Sequence, residues 1–593
     1  MKGPYNSVAD GRVSNFFGAF IFSLTRPRIA PSLDKHFYVM LPSRARGKEL
    51  LDYYFTQVSW IYQVIHVPTV ERQFNNLYLQ LEQNQQPDYG HLALISSLFS
   101  LSAYFSSPSS GLFTDIPDQI ANSRRWVLLA QDALSAADCL ATPTLETLQC
   151  LVLVAQHLMP NIGAIATFRT LTATIVHTAR ALSLHQTDSA TNIKRRANTK
   201  VDWVELEIKR RIWWHVTSTD WILSFLSGSQ CGTYMISPKQ MNVNYPSNVD
   251  DIAIPSPSIN ADYAQPMGQM TEMTYFILRI RFSVALRAIV DSAWDANCDL
   301  DDMPYEVVLE SDKRLNDLLS ELETAFKDLK SSTFEPGDPT DDTPAAKKYS
   351  LLQRQHDMCL FGIHTRFTRL HRAYLLRGAA DPKYAYSRMI CLRSARTVVE
   401  IGRAMTLTRR DITSIKIWTL NHHLFVSCVI LVMDYCFNRE EPRAKERKEE
   451  ILDCFRLLES SKQECTIATR GLAKLRHMLR KEHPGEEPEG SRPSSSDRVE
   501  VGVVPPQARP SSAPKNQEVL PAQHLSMPGT SCIAPQPQIQ DENFNINTSS
   551  FDNPPPYQWE EWDYSSLGNI NFDVNLDASE FEALFMEGSN MMF

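Results

Sequence analysis

The residues best able to bind a metal or act as nucleophiles in this chain are its eleven cysteines and fifteen histidines, and their spacing argues against both roles. A zinc site built in a short loop takes thiolates two residues apart, so that one turn of backbone can wrap the ion. The cysteines stand at 139, 150, 231, 298, 359, 391, 428, 436, 454, 465 and 532, and no two are spaced C-x2-C. His364 with His371, and the adjacent His422 and His423, lack the i, i+3 or i+4 spacing that puts two helical ligands on one face. Catalytic templates are absent as well: the chain holds no H-E-x-x-H, no G-x-x-x-x-G-K-[ST] and no G-x-S-x-G. The residues read as those of a protein that needs no cofactor or metal and is not an enzyme.

One basic cluster could contact phosphate. Lys209, Arg210 and Arg211 run directly into Trp213 and Trp214, and Asp220 follows. The element that must carry them decides their role. Leu206, Trp213, Val216, Ile222 and Leu226 recur at spacings that one amphipathic helix over 202–226 can bury. Glu205 and Glu207 sit in its first half, oppose the N-terminal macrodipole and are placed to pair with Lys209 and Arg211. The basic triplet is therefore expected to be a solvated, partly salt-bridged face, with Trp213 and Trp214 plugging the core. Lys194, Arg195 and Arg196, in a polar stretch expected to be a loop, form the better nuclear-import signal.

Glu207, Arg210, Arg211, Trp213, Trp214 and Asp220 together resemble the signature of the fungal transcription-factor regulatory domain, the middle homology region of two-zinc, six-cysteine cluster regulators. Further segments match in order: Tyr53-Tyr54-Phe55 with Ile65-His66-Val67-Pro68-Thr69, then Leu145 to Gln149 with Gly163, Phe168 and Leu182 to His185. Pro246 to Asp251 and Leu370 to Tyr374 continue the series, so that the resemblance spans roughly 16–401. Local departures are Gly228-Ser229-Gln230 where the family has Gly-Arg-Pro, and Trp221 where it has Arg. The resemblance implies a nuclear transcription regulator with a large helical domain, in which His66, His185 and His215 are structural. It also implies control of a metabolic or secondary-metabolite gene set, and leaves any small-molecule effector unknown. Members generally carry six N-terminal cysteines, C-x2-C-x6-C twice over, and this chain has no cysteine before Cys139. Zinc is thus a cofactor only if a missing N-terminal cluster exists, and DNA is reached through that cluster or through a partner. The rival reading is a helical small-molecule-binding or catalytic protein that has lost the regulator role.

Organisation follows composition. Apolar content of 43% with 10% aromatics supports a sizeable core. The run Phe16 to Phe22 is too short to span a bilayer, which takes about 20 apolar residues, so no membrane partner is expected. After an N-terminal segment, 1–42, the pattern is helical over 43–480, without sustained period-two alternation. The fold expected is all-α, a large array of packed antiparallel helices followed by a disordered tail. Thr142-Pro143 reads as the N-cap and first residue of a helix carrying Leu145, Leu148, Val152, Ala155 and Met159, ended by Pro160-Asn161. Phe168, Leu171, Ile175 and Leu182 mark its antiparallel partner. Residues 228–267 read as an ordered connection and 331–343 as a flexible surface insertion. Residues 481–540, with eleven prolines, read as a disordered linker.

The last segment, 541–593, holds eleven carboxylates, no Lys or Arg and ten aromatics. The chain's net charge is −9, so the rest is close to neutral, unlike a protein that grips a phosphate backbone by itself. Like charges keep such a tail expanded and its aromatics accessible. Asp577 to Glu580 has capping-box character, and Phe581, Leu584 and Phe585 then share a helical face. That face suits a hydrophobic groove on a transcriptional coactivator, with Trp559 and Trp562 as a second aromatic cluster.

Overall fold

Ser43 opens the helical body: its Oγ accepts from the backbone N–H of Arg46 and satisfies one of the donors that every helix start leaves unpaired. The computed structural model describes residues 40–476 apart from 108–109, 159–164, 227–229, 260, 328–342, 408–417, 439, 461–471 and 473–474. Fifteen α-helices occupy those residues. They are α1 (Arg44–Tyr53), α2 (Val67–Glu82), α3 (Tyr89–Phe105), α4 (Ile116–Ala136), α5 (Leu145–Val152), α6 (Ile165–Ala181), α7 (Ala190–Arg196) and α8 (Trp203–Ser224). After a long connection follow α9 (Thr274–Asp295), α10 (Tyr305–Ala325), α11 (Pro344–His371), α12 (Arg377–Ala380), α13 (Ala385–Leu407), α14 (Trp418–Phe437) and α15 (Ala444–Ser460). No strand forms among the described residues, and β pairing is limited to one bridge between Val201 and Ser258. The all-α expectation holds.

Chain neighbours pack on one another, as short connections dictate. α3 lies against α4, α8 against α9, and α11, α13, α14 and α15 pack in succession. α3 and α14 are apolar nearly all round, the composition of a helix enclosed on every side. Leu420–Phe437 within α14 is long and apolar enough to cross a membrane, yet 89% of that window is buried inside the protein. It is a core helix.

Local endings differ from the sequence reading in three places. The cap of α5 is Thr144, not Thr142: its Oγ1 accepts from Thr147 N while Thr147 Oγ1 accepts from Thr144 N. This reciprocal pair satisfies two donors at once, which Thr142 and Pro143 cannot do. α5 then widens into a π turn over Leu153–Leu158 instead of running on as a regular helix. A similar π turn over Tyr54–Val58 follows α1. Pro160 and Asn161, Gly163, the insertion over 331–342, the predicted linker 481–540 and the tail 541–593 lie outside the described residues, as do 1–39 of the N-terminal segment.

Candidate functional site

α8 carries the signature residues, and its polar ones are tied to three other segments. Asp202 caps it by accepting from Glu205 N, and Glu205 pairs with Lys209 across one turn at 2.5 Å. Lys209 is the one member of the basic triplet that behaves as a solvated charge. Arg211 is fully buried, donating from Nη1 to Asp251 Oδ1 at 2.6 Å and to the Ile65 carbonyl at 3.2 Å. Arg210 is nearly buried and forks onto Asp188, Nε to Oδ2 at 2.9 Å and Nη2 to Oδ1 at 2.8 Å. Its Nη1 donates to Glu207 at 2.8 Å, so Glu207 pairs three residues on, not four as expected for Arg211. The expectation of a solvated triplet is thus corrected for Arg210 and Arg211. Their carboxylates come from 22 and 40 residues away in sequence, where helical periodicity cannot see them.

Each carboxylate is in turn fixed by backbone. Asp251 Oδ2 accepts from Val67 N at 2.8 Å, and His66 holds the Asp251 carbonyl with Nε2 at 3.2 Å and the Thr69 hydroxyl with Nδ1 at 2.8 Å. Pro68 then lies in the first turn of α2. Asp188 also accepts from Asn244 N at 2.9 Å and from Arg196 Nη2 at 2.7 Å, and against the opposing effect of burial Arg210 first, then these two, hold its carboxyl below the usual range. Glu207, fully buried, accepts from Ser247 N and Oγ, both at 2.9 Å, and from the Tyr263 hydroxyl at 3.0 Å. Asn248 fastens the other side of the same connection through Pro266, Gln269, Thr271 and Thr274. Residues 246–251 thereby clip α2, α8 and the start of α9 together. Asp251 lies in a segment the sequence singled out. Asp188 and Tyr263 carried no signal, because their partners are set by tertiary packing.

Asp220, six residues beyond Trp214 on α8, does a related task. Its Oδ2 accepts from the backbone N–H of Met235 and of Ile236, both at 2.8 Å. Burial outweighs those bonds and pushes its carboxyl up to about 6. Trp214 and Trp221 pack edge-on at 6.1 Å and donate to the Asn244 and Ile236 carbonyls. Trp213 enters the main core instead, 1% exposed, and its indole N–H bonds nothing.

Lys194, Arg195 and Arg196 form the last turn of α7, not a loop. Lys194 and Arg195 are exposed, whereas Arg196 is anchored on Asp188 and the Thr187 carbonyl. Trp559, Trp562, Phe581, Leu584 and Phe585 lie outside the described residues. Beside the knot, Gln73 of α2, Glu146 and Gln149 of α5 and Glu205 and Ile208 of α8 line a cleft of about 510 Å³. Among the described residues no three His, Cys, Asp or Glu side chains gather closely enough to hold a metal. The nine cysteines described are free thiols, and burial raises Cys150 and Cys391 well above the usual thiol range, which keeps them protonated and inert. The hydrogen bonds and ion pairs of this site hold segments in place, and among the described residues no base–nucleophile pair forms in it.

Comparison with known proteins converges on the same segments. Residues 51–326 match the family described as the fungal specific transcription factor domain. The whole chain aligns with the agnestins biosynthesis cluster transcription factor AgnL11 of Paecilomyces divaricatus, 41% identical over 595 aligned residues and covering 79% of that protein. A probable transcription factor of Aspergillus flavus, lepB, is 29% identical over 92% of each chain. Transcription factor TAS2 of Pyricularia oryzae is 27% identical over 70% of this chain and 57% of its own.

Proposed function

The chain belongs to the fungal-specific transcription factor family, and from that premise we propose that it switches on a biosynthetic gene set from within the nucleus. It is a transcription regulator and not an enzyme. The observation that carries the finer reading is the 41% identity, over its entire length, to a regulator whose name ties it to a biosynthesis cluster. Deleting the gene and sequencing transcripts tests it: a coordinated fall in one set of biosynthetic transcripts is expected, and an unchanged profile would refute the reading.

We assign activation to 541–593, where eleven carboxylates stand among ten aromatics, a composition suited to a coactivator groove. Each apolar side chain buried there contributes about 1.5–3 kcal/mol before the ordering cost is subtracted. Fused to a heterologous DNA-binding domain, 541–593 is expected to drive a reporter. Phe581→Ala with Phe585→Ala should abolish that activity, while Glu582→Gln should weaken it only slightly. Activity surviving both phenylalanine changes would pass the role to Trp559 and Trp562. Contact with DNA is made through a partner or through a zinc cluster outside these 593 residues, which contain no C-x2-C pair. The 593-residue protein alone is therefore expected to give no zinc-dependent, sequence-selective shift of promoter DNA. Import is assigned to the exposed Lys194 and Arg195, and nuclear exclusion of a doubly substituted protein would support it.

A further inference from the structure

Tyr62 stands in the extended segment between the first π turn and α2, at a place where four elements meet. Its ring lies edge-on to His157 of the second π turn at 4.7 Å and to His215 of α8 at 4.6 Å. The guanidinium of Arg279, from α9, sits over the same ring at 5.5 Å. Both Tyr62 and Arg279 keep accessible surface although the residues flanking each of them, Ile61, Gln63, Leu278 and Ile280, are buried.

The groups around Tyr62 are short of partners. Arg279 donates one bond, to the Thr219 hydroxyl at 2.9 Å, and its Nη1 bonds nothing. Among the described residues neither ring nitrogen of His215 has a hydrogen-bond partner, nor does the Tyr54 hydroxyl. Among the described residues no carboxylate faces Arg279: the titratable groups against it are the phenols of Tyr62 and Tyr275 and the imidazole of His215, which burial keeps neutral. Burial also lowers the guanidinium itself from its ordinary value. A second such cation lies further along the seam. Arg366 of α11 covers Phe282, one turn beyond Arg279 on α9, at 5.5 Å. Only 4% exposed, it bonds the Thr365 hydroxyl and His423 but no carboxylate, and burial with the nearby Arg369 lowers it to about 9. Leaving a buried charge unpaired costs several kcal/mol, in order of magnitude: Arg366 is such a charge, and Arg279 buries its Nη1 without a hydrogen-bond partner among the described residues, so an entering anion would offset that cost.

We propose that the seam between Tyr62, α8 and α9 binds a small aromatic carboxylate, its carboxylate forked by Arg279 and its ring packed against Tyr62 and Tyr275. A guanidinium takes a carboxylate through two parallel N–H donors, and the aromatic walls take a planar apolar body. That such a ligand serves as an effector rests on the regulator reading above, whereas the binding itself does not.

Purified full-length protein tests this by saturation-transfer NMR and thermal denaturation with benzoate, salicylate and 1-naphthoate, each against its carboxamide, and with inorganic phosphate. At least one acid is expected to bind about tenfold or more tightly than its amide, with no competition from phosphate. Arg279→Met should remove that preference while leaving the ligand-free melting temperature equal or higher, because the deleted charge had no ionic partner. A structural arginine would behave in the opposite way. If Arg279→Met does not fold, Arg279→Lys decides: it keeps the charge, loses the fork and should weaken binding at least several-fold. Absence of binding by all three acids, equal binding of acid and amide, displacement by phosphate, or unchanged binding in the substituted protein would each overturn the site. The reporter experiments on 541–593 are independent, so failure of the regulator reading would show there and not here.

Discussion

Arg211 and Lys209 are two residues apart on one helix and have opposite energetic weights. Lys209 pairs with Glu205 at the surface, where such a bridge contributes about 0–1 kcal/mol, so Lys209→Ala is expected to leave urea stability nearly unchanged. Arg211→Ala strands the buried Asp251 carboxylate and should cost about 3–5 kcal/mol in the same measurement. The sequence offered no way to separate them, since the decisive partner lies 40 residues on. Asp220 makes a subtler case. Asp220→Ala leaves the buried Ile236 N–H and the neighbouring Met235 N–H unpaired and should cost about 1–3 kcal/mol per buried donor, whereas Asp220→Asn can still accept from both. Its carboxyl, at about 6, is raised above the ordinary 3.8, so the fold prefers it protonated. The contribution of Asp220 is then greatest below its unfolded value and falls as pH rises through about 6. Asp220→Asn should therefore gain on the parent protein between pH 5 and 7 in paired denaturation curves. A gap that does not change with pH would contradict the burial of that carboxyl.

At the scale of elements, neighbouring side chains on a helix point about 100° apart, and α8 uses that angle to reach two cores. Trp213 enters the main core and Trp214 the smaller one with Trp221 and Phe276. Truncating either to Ala should cost about 3–5 kcal/mol. Trp213→Phe, which deletes an N–H that bonds nothing, should cost less than Trp214→Phe, which also breaks the bond to Asn244. Equal losses in the two phenylalanine proteins would remove the distinction. Glycines set other approaches. A Cβ at Gly378 would lie 2.6 Å from the Tyr384 carbonyl oxygen, whereas one at Gly402 would meet a movable Leu424 methyl at 2.5 Å. Backbone cannot yield as a side chain can, so Gly378→Ala should lose more, within the roughly 1–3 kcal/mol typical of overpacking. Helix existence was legible from apolar spacing and from caps such as Ser43. The π turns after α1 and α5 were not, because the extra residue per turn is imposed by what packs on it rather than by local composition.

For the whole molecule, fold class followed from the helical period alone, and the clip over residues 246–251 was visible as a segment though not as a mechanism. The cluster around Tyr62 and Arg279 was invisible, since it is assembled by groups from four separated stretches that leave Arg279 Nη1 and both His215 ring nitrogens without partners among the described residues. Buried histidines give the assembled body a collective property. Burial lowers His157 and His422 to about 3 and His364 to about 4, and holds His215 and His423 neutral too. These groups stay unprotonated in the fold, while in the unfolded chain they take up protons below about 6.5. Between about pH 6.5 and pH 4 the unfolded state therefore binds more protons, and stability falls as pH falls. Each histidine contributes a slope of up to about 1.4 kcal/mol per pH unit. Asp220 opposes one such slope between about pH 4 and 6, and Asp188 and Asp301, held low by their arginines, add acid sensitivity only below the carboxylate range. The histidines outnumber it, so urea midpoints should drop steeply from pH 7 to pH 5. A stability profile that is level across that interval would mean that these imidazoles reach solvent, and the packing of α8, α11 and α14 around them would have to be redrawn.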